Sequence, residues 1–270
     1  MRIISQTLVA LALVVPVTAP ALAQTPLPMA PQGLGVERAA PPPPDSGQAQ
    51  RERSISFGSL FSDLGHDLTR LPTKANALTL GVGGAIALAV HPADSELTRR
   101  ATVSLPLDYA FEVGEPAGSG WVQAGGALGT LLIGKATGSR RAQMLGADLV
   151  RAQMINAVIT QGMKVAVGRS RPNGGRFSFP SGHASSTFAN ATVLCRHFGW
   201  RVGVPAYGLA AYVGASRLQE NRHYASDVIF GAALGITAGR TVTVGRGSSQ
   251  FVVAPIVVPS GAGVMFTRVN

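Results

Sequence analysis

Long apolar segments alternate with short stretches of glycine, proline and charge through the middle of the chain. Between residues 59 and 240 the apolar segments are rich in Ala and Leu, and they lack the strict alternation of β-branched residues that is typical of strands. This pattern predicts an all-α fold, a compact helical bundle. We expect helices at residues 75–90, 121–133, 147–167, 184–198, 204–215 and 227–238.

The segment 147–167 is amphipathic, which indicates a helix with one face towards the bundle interior. Its apolar residues are Leu149, Ile155, Val158, Ile159 and Met163, and they interleave with the polar residues Arg151, Asn156, Thr160 and Lys164.

The two ends of the chain have a different pattern. Residues 1–23 resemble an export signal, with a positive start, an apolar core and small residues at the cleavage position; an uncleaved anchor is the alternative. Residues 24–58 contain four consecutive prolines and predict an extended linker. The helical domain then spans 59–240. Residues 241–270 carry β-forming segments around a Pro-Ser-Gly turn, which predicts a short β-hairpin-like tail without assigned chemistry.

Two stretches of the predicted bundle bear on its relation to a membrane. Residues 75–93 and 116–134 each run for 19 residues without Asp, Glu, Lys or Arg, and a spanning helix needs about 20 mostly apolar residues. Both stretches contain several glycines, which lower their hydrophobicity. We therefore expect an exported, periplasmic bundle, and the sequence leaves open whether it is soluble, membrane-associated or integral. It also leaves open the oligomeric state.

The net charge indicates an anionic partner. The chain has 23 Lys and Arg against 13 Asp and Glu, a formal charge of +10, which suits nucleic acid, anionic lipid or a phosphorylated substrate. An aromatic content of 6% and the lack of a dense basic run argue against nucleic acid. The single cysteine, Cys195, excludes an internal disulfide framework and a cysteine-based zinc cluster.

Three clusters carry the candidate chemistry: Lys164-x6-Arg171-Pro172, Pro180-Ser181-Gly182-His183, and Ser216-Arg217-x5-His223-x3-Asp227. Lys164 lies near a helix end that Gly168 is expected to stop, and Arg171 precedes a proline, which favours extended backbone. The two cations are therefore able to converge on one anion. The second cluster opens a helix, whose exposed N–H groups and dipole also attract an anion, and Gly182 permits close approach of the backbone.

The third cluster predicts a paired histidine. His223 and Asp227 are four residues apart, which is one helical turn, so we expect them on a shared face. A carboxylate there holds the imidazole N–H and stabilises the imidazolium, which leaves the other ring nitrogen as a nucleophile. His183 is left to donate a proton to a leaving group. Each residue alone has an ordinary structural explanation, and it is the combination that indicates phosphate chemistry.

The combination resembles the signature of the type 2 phosphatidic acid phosphatase (PAP2) superfamily, which also contains bacterial acid phosphatases and vanadium-dependent haloperoxidases. The resemblance implies that His223 is the nucleophile and forms a phosphohistidine, that Asp227 orients it, and that His183 is the general acid and later the base. It also implies a set of groups that hold the phosphoryl oxygens: Lys164, Arg171, Ser181, Gly182 and Arg217. It requires no metal or other cofactor.

The sequence therefore predicts an exported, metal-independent phosphatase of phosphate monoesters or lipid mono- and diphosphates. One alternative is a haloperoxidase with vanadate as cofactor, although such enzymes are usually much longer chains; a phosphatase would instead be inhibited by vanadate. Another is a non-catalytic envelope scaffold with an anion pocket. The charge supports a phosphoryl ligand, because residues 164–222 hold eight basic residues and one acid. Among the remaining residues, Trp121 and Trp200 are expected in the core or an interface, and Arg169 is expected to flank the site.

Overall fold

The computed structural model describes residues 57–104, 111, 113–243, 250–258 and 261–269. The predicted export signal and most of the predicted linker lie outside these residues. Helices occur at all the segments where the sequence predicted them, which confirms the all-α prediction. They are α1 (Phe57–Thr69), α2 (Lys74–Val90), α3 (Asp94–Ser104), α4 (Gly114–Gly118), α5 (Gly120–Ala136), α6 (Arg140–Val167), α7 (Gly182–Phe198), α8 (Trp200–Gln219) and α9 (Ala225–Val242).

Helices α1, α3 and α4 were not predicted from the pattern. They are shorter than most of the predicted helices, and α3 begins with the polar run Asp94-Ser95-Glu96. A 3-10 turn at His91–Ala93 joins α2 to α3. As a result, Asp94 lies where one helix ends and the next begins.

The core of the bundle is formed by α5, α6, α7 and α9. Its buried side chains are mostly small: Ala127, Leu145, Leu149, Ala152, Ile155, Ala189, Val193, Ala238 and Val242. Burial of a side chain the size of Leu or Ile contributes about 1.5–3 kcal/mol. Because so many core positions are alanine, the helix backbones approach one another closely.

Glycines make two of these approaches possible. A Cβ atom at Gly146 of α6 would clash with the backbone of Leu131 in α5, and one at Gly235 of α9 would clash with the carbonyl oxygen of Ser185 in α7. Direct backbone contact between helices brings α7 against α9, and these two helices carry the second and third sequence clusters.

A buried ionic cluster ties α1 and α7 to α6 at a distance from those clusters. The Arg151 guanidinium donates to Asp67 at 2.7 Å and to Asp148 at 2.5 Å, and His197 Nε2 lies 2.8 Å from Asp148. Burial raises the pKa of Asp67 to about 6, despite the opposing attraction of Arg151. Arg151 is 13 residues before Lys164 on α6, roughly 20 Å along the helix axis.

Large apolar side chains are exposed on α2 and α5. They include Leu78, Val82, Ile86 and Leu88 on α2, and Trp121, Val122, Leu128, Leu132 and Ile133 on α5. Within the described residues, one continuous helical stretch, Lys74–Val103, is long and apolar enough to cross a membrane. Of its most apolar 18 residues, only 17% are buried.

The tail forms a two-stranded antiparallel sheet of β1 (Gln250–Val258) and β2 (Gly261–Val269), in which Gln250 lies opposite Val269. The helical bundle extends to Val242, slightly beyond the predicted boundary at residue 240.

The close approach of α5 and α6 predicts opposite effects for two glycine substitutions in α6. Gly146→Ala should lower the free energy of unfolding by about 1–3 kcal/mol, because the new methyl group forces backbone apart. Gly162→Ala is the matched control, since nothing lies within 4 Å of its added Cβ and alanine favours the helix by about 0.5–1 kcal/mol. Thermal unfolding of both variants in one detergent measures the difference, and equal midpoints would contradict the packing.

Candidate active site

Lys164 and Arg171 converge on one cavity, as their spacing predicted. Helix α6 ends at Val167, and Gly168 adopts the left-handed conformation with φ 61° that stops it. Lys164 lies in the last turn, where its Nζ donates to the carbonyl oxygen of Phe177 at 2.7 Å. In the loop that follows, Arg171 Nε donates to the carbonyl oxygen of Arg176 at 3.0 Å. These contacts hold both cations at the cavity wall.

The Pro-Ser-Gly-His cluster opens α7, as predicted. Ser181 is the N-cap, and its Oγ accepts from the Ala184 N–H at 3.4 Å. Gly182 and His183 are the first two residues of the helix, and both line the same cavity as Lys164 and Arg171. Since the first N–H groups of a helix have no partner within it, this end of α7 adds donors and a positive dipole to the cationic wall.

His223 and Asp227 meet as predicted, but not through a helical turn. Helix α9 begins at Ala225 with Tyr224 as its N-cap, so His223 precedes the helix and the expectation of a shared helical face was wrong. Asp227 is the third residue of α9, and its Oδ2 accepts from the Tyr224 N–H at 2.9 Å in a capping box. This cap turns the carboxylate back, so that Oδ2 lies 3.7 Å from His223 Nδ1.

The Asp227 carboxylate is completely buried and held on both oxygens. Ser178 Oγ donates to Oδ2, and the Arg169 guanidinium donates to Oδ1 at 2.6 Å. Burial acts to raise the pKa of Asp227, but the close imidazole of His223 and the hydrogen bonds from Ser178 and Tyr224 outweigh it. The pKa therefore lies below its usual value, and the carboxylate is ionised at neutral pH.

The imidazole of His223 is 2% exposed. Burial lowers its pKa, an effect that Asp227 partly opposes, so the resting imidazole is neutral near pH 7. Among the described residues, no group hydrogen-bonds Nδ1, and Asp227 lies 3.7 Å away, within ion-pair range but beyond a hydrogen bond. A movement of less than about 1 Å would close this pair.

His183 and Lys164 have depressed pKa values. Burial, with the positive charge of Arg217 and neighbouring groups, lowers the pKa of His183 to about 4. Burial and Arg171 lower the pKa of Lys164 to about 8. Both shifts arise in a site with an excess of positive charge, and a bound anion would reverse their electrostatic part. The site is therefore suited to an anionic ligand.

The cavity that these groups line has a volume of about 660 Å³ and two chemically different walls. Lys164, Arg171, Gly182, His183 and His223 form the polar end. The wall from α5 is apolar, with Trp121, Ala124 and Leu128. Helix α6 adds the apolar side chains Val150, Met154 and Ala157, which alternate with the polar side chains Gln153, Asn156, Thr160 and Gln161. Trp121 and Trp200 are 90% and 64% exposed, so neither lies in the core; the other place expected for them, an interface, stays a prediction.

Three predicted site residues lie behind the cavity wall. Asp227 supports His223, and the Ser181 hydroxyl caps α7. Arg217 is 2% exposed, and its guanidinium donates to Ser216 and Glu220. It is not among the residues that line the cavity, although its charge contributes to the low pKa of His183.

Sequence reasoning missed Asp94, Ser178 and Ser226, and it left Arg169 as a flanking charge. Arg169 instead joins Asp227 to Asp94 through a buried ionic contact, at 2.6 Å and 2.7 Å. Asp94 precedes the signature by 70 residues, so no spacing in the sequence marked it. In the part of the chain that the structure describes, no group of three or more His, Cys, Asp or Glu residues could hold a metal ion.

Known proteins resemble this chain over part of its length. A "Lipid A 1-phosphatase" from Porphyromonas gingivalis is 40% identical over 101 residues, which are 36% of this chain and 22% of that protein. The chain thus spans about a fifth of that relative. The crystal structure of Aquifex aeolicus LpxE matches 56% of this chain and 95% of its own, with 24% identity and a TM-score of 0.49.

A second solved structure, the transmembrane PAP2 type phosphatidylglycerolphosphate phosphatase from Bacillus subtilis, matches 63% of this chain and 93% of its own, with 20% identity and a TM-score of 0.49. The family model of the PAP2 superfamily matches residues 146–249, which include all three sequence clusters. The resemblance carried by those clusters is therefore confirmed: over residues 146–249 the chain matches the PAP2 superfamily.

Proposed function

We propose that this protein is a membrane-associated phosphatase that hydrolyses lipid phosphates through a phosphohistidine intermediate at His223. The observation that carries the proposal is the shape of one cavity, in which a cationic end with two histidines continues into an apolar wall. A phosphate headgroup matches the first part, and an acyl or prenyl chain matches the second. The match of residues 146–249 to the PAP2 superfamily supports the same chemistry.

In the proposed reaction, His223 Nε2 attacks phosphorus and forms an N–P bond as the P–O bond to the leaving group breaks. His183 gives its proton to the departing oxygen. His183 then takes a proton from water as the water oxygen attacks phosphorus, which releases phosphate and restores His223. Asp227 stabilises the positive charge that develops on the imidazole, and its distance of 3.7 Å shortens as that charge forms.

Charge develops on the phosphoryl oxygens in the transition state, where fixed cations and N–H donors lower the barrier most. Lys164 and Arg171 supply cations at the cavity wall, and the first N–H groups of α7 supply donors. Arg217 contributes positive potential from behind this wall.

Two observations favour a lipid substrate and contact with a membrane. The "Lipid A 1-phosphatase" relative is named for a phosphorylated lipid, and it is 40% identical over 101 residues. In addition, apolar side chains are exposed along α2 and α5, and α5 also forms the apolar wall of the cavity. If these faces contact the acyl layer, the cavity receives lipid directly from it. Export to the periplasm is part of the same proposal.

Phosphatase activity on washed membranes tests the proposal. The wild-type protein should release phosphate from lipid A or phosphatidate without added metal, and more slowly from p-nitrophenyl phosphate, because only the lipids fill the apolar wall. Activity should stay with membranes through a high-salt wash, be extracted by detergent, and be inhibited by vanadate. His223→Ala should abolish it.

Other outcomes separate the alternatives. Bromination of a dye with vanadate and peroxide, without hydrolysis of any phosphate ester, would establish a haloperoxidase. Binding of phosphate without either activity would indicate the non-catalytic scaffold with an anion pocket. Preference for the soluble ester, with release by salt, would overturn the lipid and membrane parts of the proposal.

Arg171 and Arg176 form a matched pair on the loop after α6. Arg171 lines the cavity, whereas Arg176 is exposed and its guanidinium lies over the Phe177 ring. Arg171→Ala should lower kcat/KM by about 10²–10³-fold through lost stabilisation of the transition state. Arg176→Ala should change it by less than about threefold, because the carbonyl oxygen that accepts from Arg171 remains. Steady-state kinetics compare the two, and equal losses would remove Arg171 from its proposed role.

Anion binding should be coupled to proton uptake by His183. With a pKa of about 4 the imidazole is neutral near pH 6, and a bound dianion raises the pKa towards the value needed for a general acid. Anion affinity should therefore increase as the pH falls from about 7 to 5. Titration calorimetry with sulfate, in two buffers of different ionisation enthalpy, measures the number of protons taken up on binding. His183→Asn should remove it, and uptake that persists in this variant would assign the proton elsewhere.

A further inference from the structure

The Arg169 side chain links Asp227 to three residues that the proposed catalytic steps do not use: Asp94, Tyr224 and Ser226. One nitrogen donates to Asp227 Oδ1 at 2.6 Å and to Ser226 Oγ at 2.8 Å, and the other donates to Asp94 Oδ2 at 2.7 Å. The guanidinium carbon also lies 4.3 Å from the centre of the Tyr224 ring. These contacts orient Arg169 between two buried carboxylates.

Asp94 reaches this position from the start of α3, outside the segment that matches the PAP2 family model. Its Oδ1 accepts from the Ser226 N–H at 2.9 Å, and its Oδ2 accepts from Ser226 Oγ and from Arg169. Asp94 thus holds the first turn of α9 and the guanidinium together. Neither Asp94 nor Arg169 lines the cavity that contains His223.

The ionic contacts form a chain: Asp94 pairs with Arg169, Arg169 pairs with Asp227, and Asp227 lies next to His223. A guanidinium bound to Oδ1 of Asp227 draws negative charge away from Oδ2, the oxygen that faces the imidazole. The second carboxylate, Asp94, opposes this pull because it shares the same guanidinium. Lys164, Arg171 and His183 also act on His223 from α6, the following loop and α7, and all three line the same cavity as His223.

We propose that Asp94 and Arg169 are positioning residues that hold Asp227 against His223 and set the negative charge that the imidazole experiences. This inference deepens the proposed function, because it assumes that His223 is the group that attacks phosphorus. If it is correct, removal of the Asp94 charge and removal of the Arg169 charge, each in a separate variant, change the pKa of His223 in opposite directions.

The directions follow from Coulomb's law. In Asp94→Asn the charge of Arg169 acts on Asp227 without compensation, so the imidazolium is less stable and the pKa of His223 falls. In Arg169→Gln two carboxylates remain without their shared cation, so the pKa of His223 rises. Because Asp227 lies between these charges and the imidazole, each variant should shift the pKa of His223 by about half a unit or more. Arg169→Lys keeps the charge and should leave the pKa unshifted.

NMR titration of ¹³C-labelled histidine in the full-length, detergent-solubilised protein without phosphate measures these shifts, with His223→Ala to assign the resonance. The readout does not depend on activity, so it separates failure of this inference from failure of the proposed function. In the active protein, both charge-removing variants should lower kcat about tenfold or more and leave KM nearly unchanged, since neither side chain lines the cavity.

Asp67→Asn is the matched control. Asp67 is a buried carboxylate paired with Arg151 at 2.7 Å, as Asp94 is with Arg169, but it lies at the distant ionic cluster. It should alter thermal stability without moving the pKa of His223. Shifts of the same sign in Asp94→Asn and Arg169→Gln, no shift in either, or an equal shift in Asp67→Asn would overturn the inference. If Asp94→Asn does not fold, the upward shift in Arg169→Gln decides alone.

Discussion

The burial of one carboxylate, that of Asp227, determines how the site is assembled. A buried carboxylate is stable only when hydrogen bonds and opposite charge replace its water. Asp227 obtains them from Arg169 and Ser178 in the loop before α7 and from the Tyr224 N–H at the start of α9. Its backbone oxygen also accepts from the Ser181 N–H at 3.0 Å. The same residue therefore joins the loop, α7 and α9, and this junction positions His223.

The polar end of the cavity carries an excess of positive charge. Lys164, Arg171 and the start of α7 line it, and no Asp or Glu is among the described residues of this lining. Burial, and after it the neighbouring cations, lower the pKa values of His183 and Lys164, and a bound anion would oppose the part that the cations contribute. This arrangement places the positive charge where the proposed phosphoryl ligand would relieve it, and it leaves the buried imidazole of His223, the proposed nucleophile, neutral.

Helix α5 joins the cavity to the apolar surface of the bundle. Alanine and glycine let the backbones of α5, α6, α7 and α9 approach closely, and the apolar side chains Leu128 and Leu132 lie on the outer face of α5. Helix α5 thus has an exposed apolar face that continues into the cavity wall. The polar and apolar parts of one amphiphilic ligand then have adjacent places to bind.

By itself the sequence determined the features that depend on neighbouring residues. Apolar segments fixed the main helices, Gly168 ended α6, Ser181 capped α7, and short spacing brought Lys164 and Arg171 to one wall. Only the tertiary structure decided which buried charges pair across distant segments. It also decided the residue at which a helix begins, where a difference of one or two residues changes the position of a side chain. Asp94 reaches Asp227 through Arg169, Arg217 turns to Glu220, and His223 precedes α9 instead of lying on it. The physical reason is that periodicity and capping act within a few residues, whereas the pairing of buried charges depends on how the helices pack.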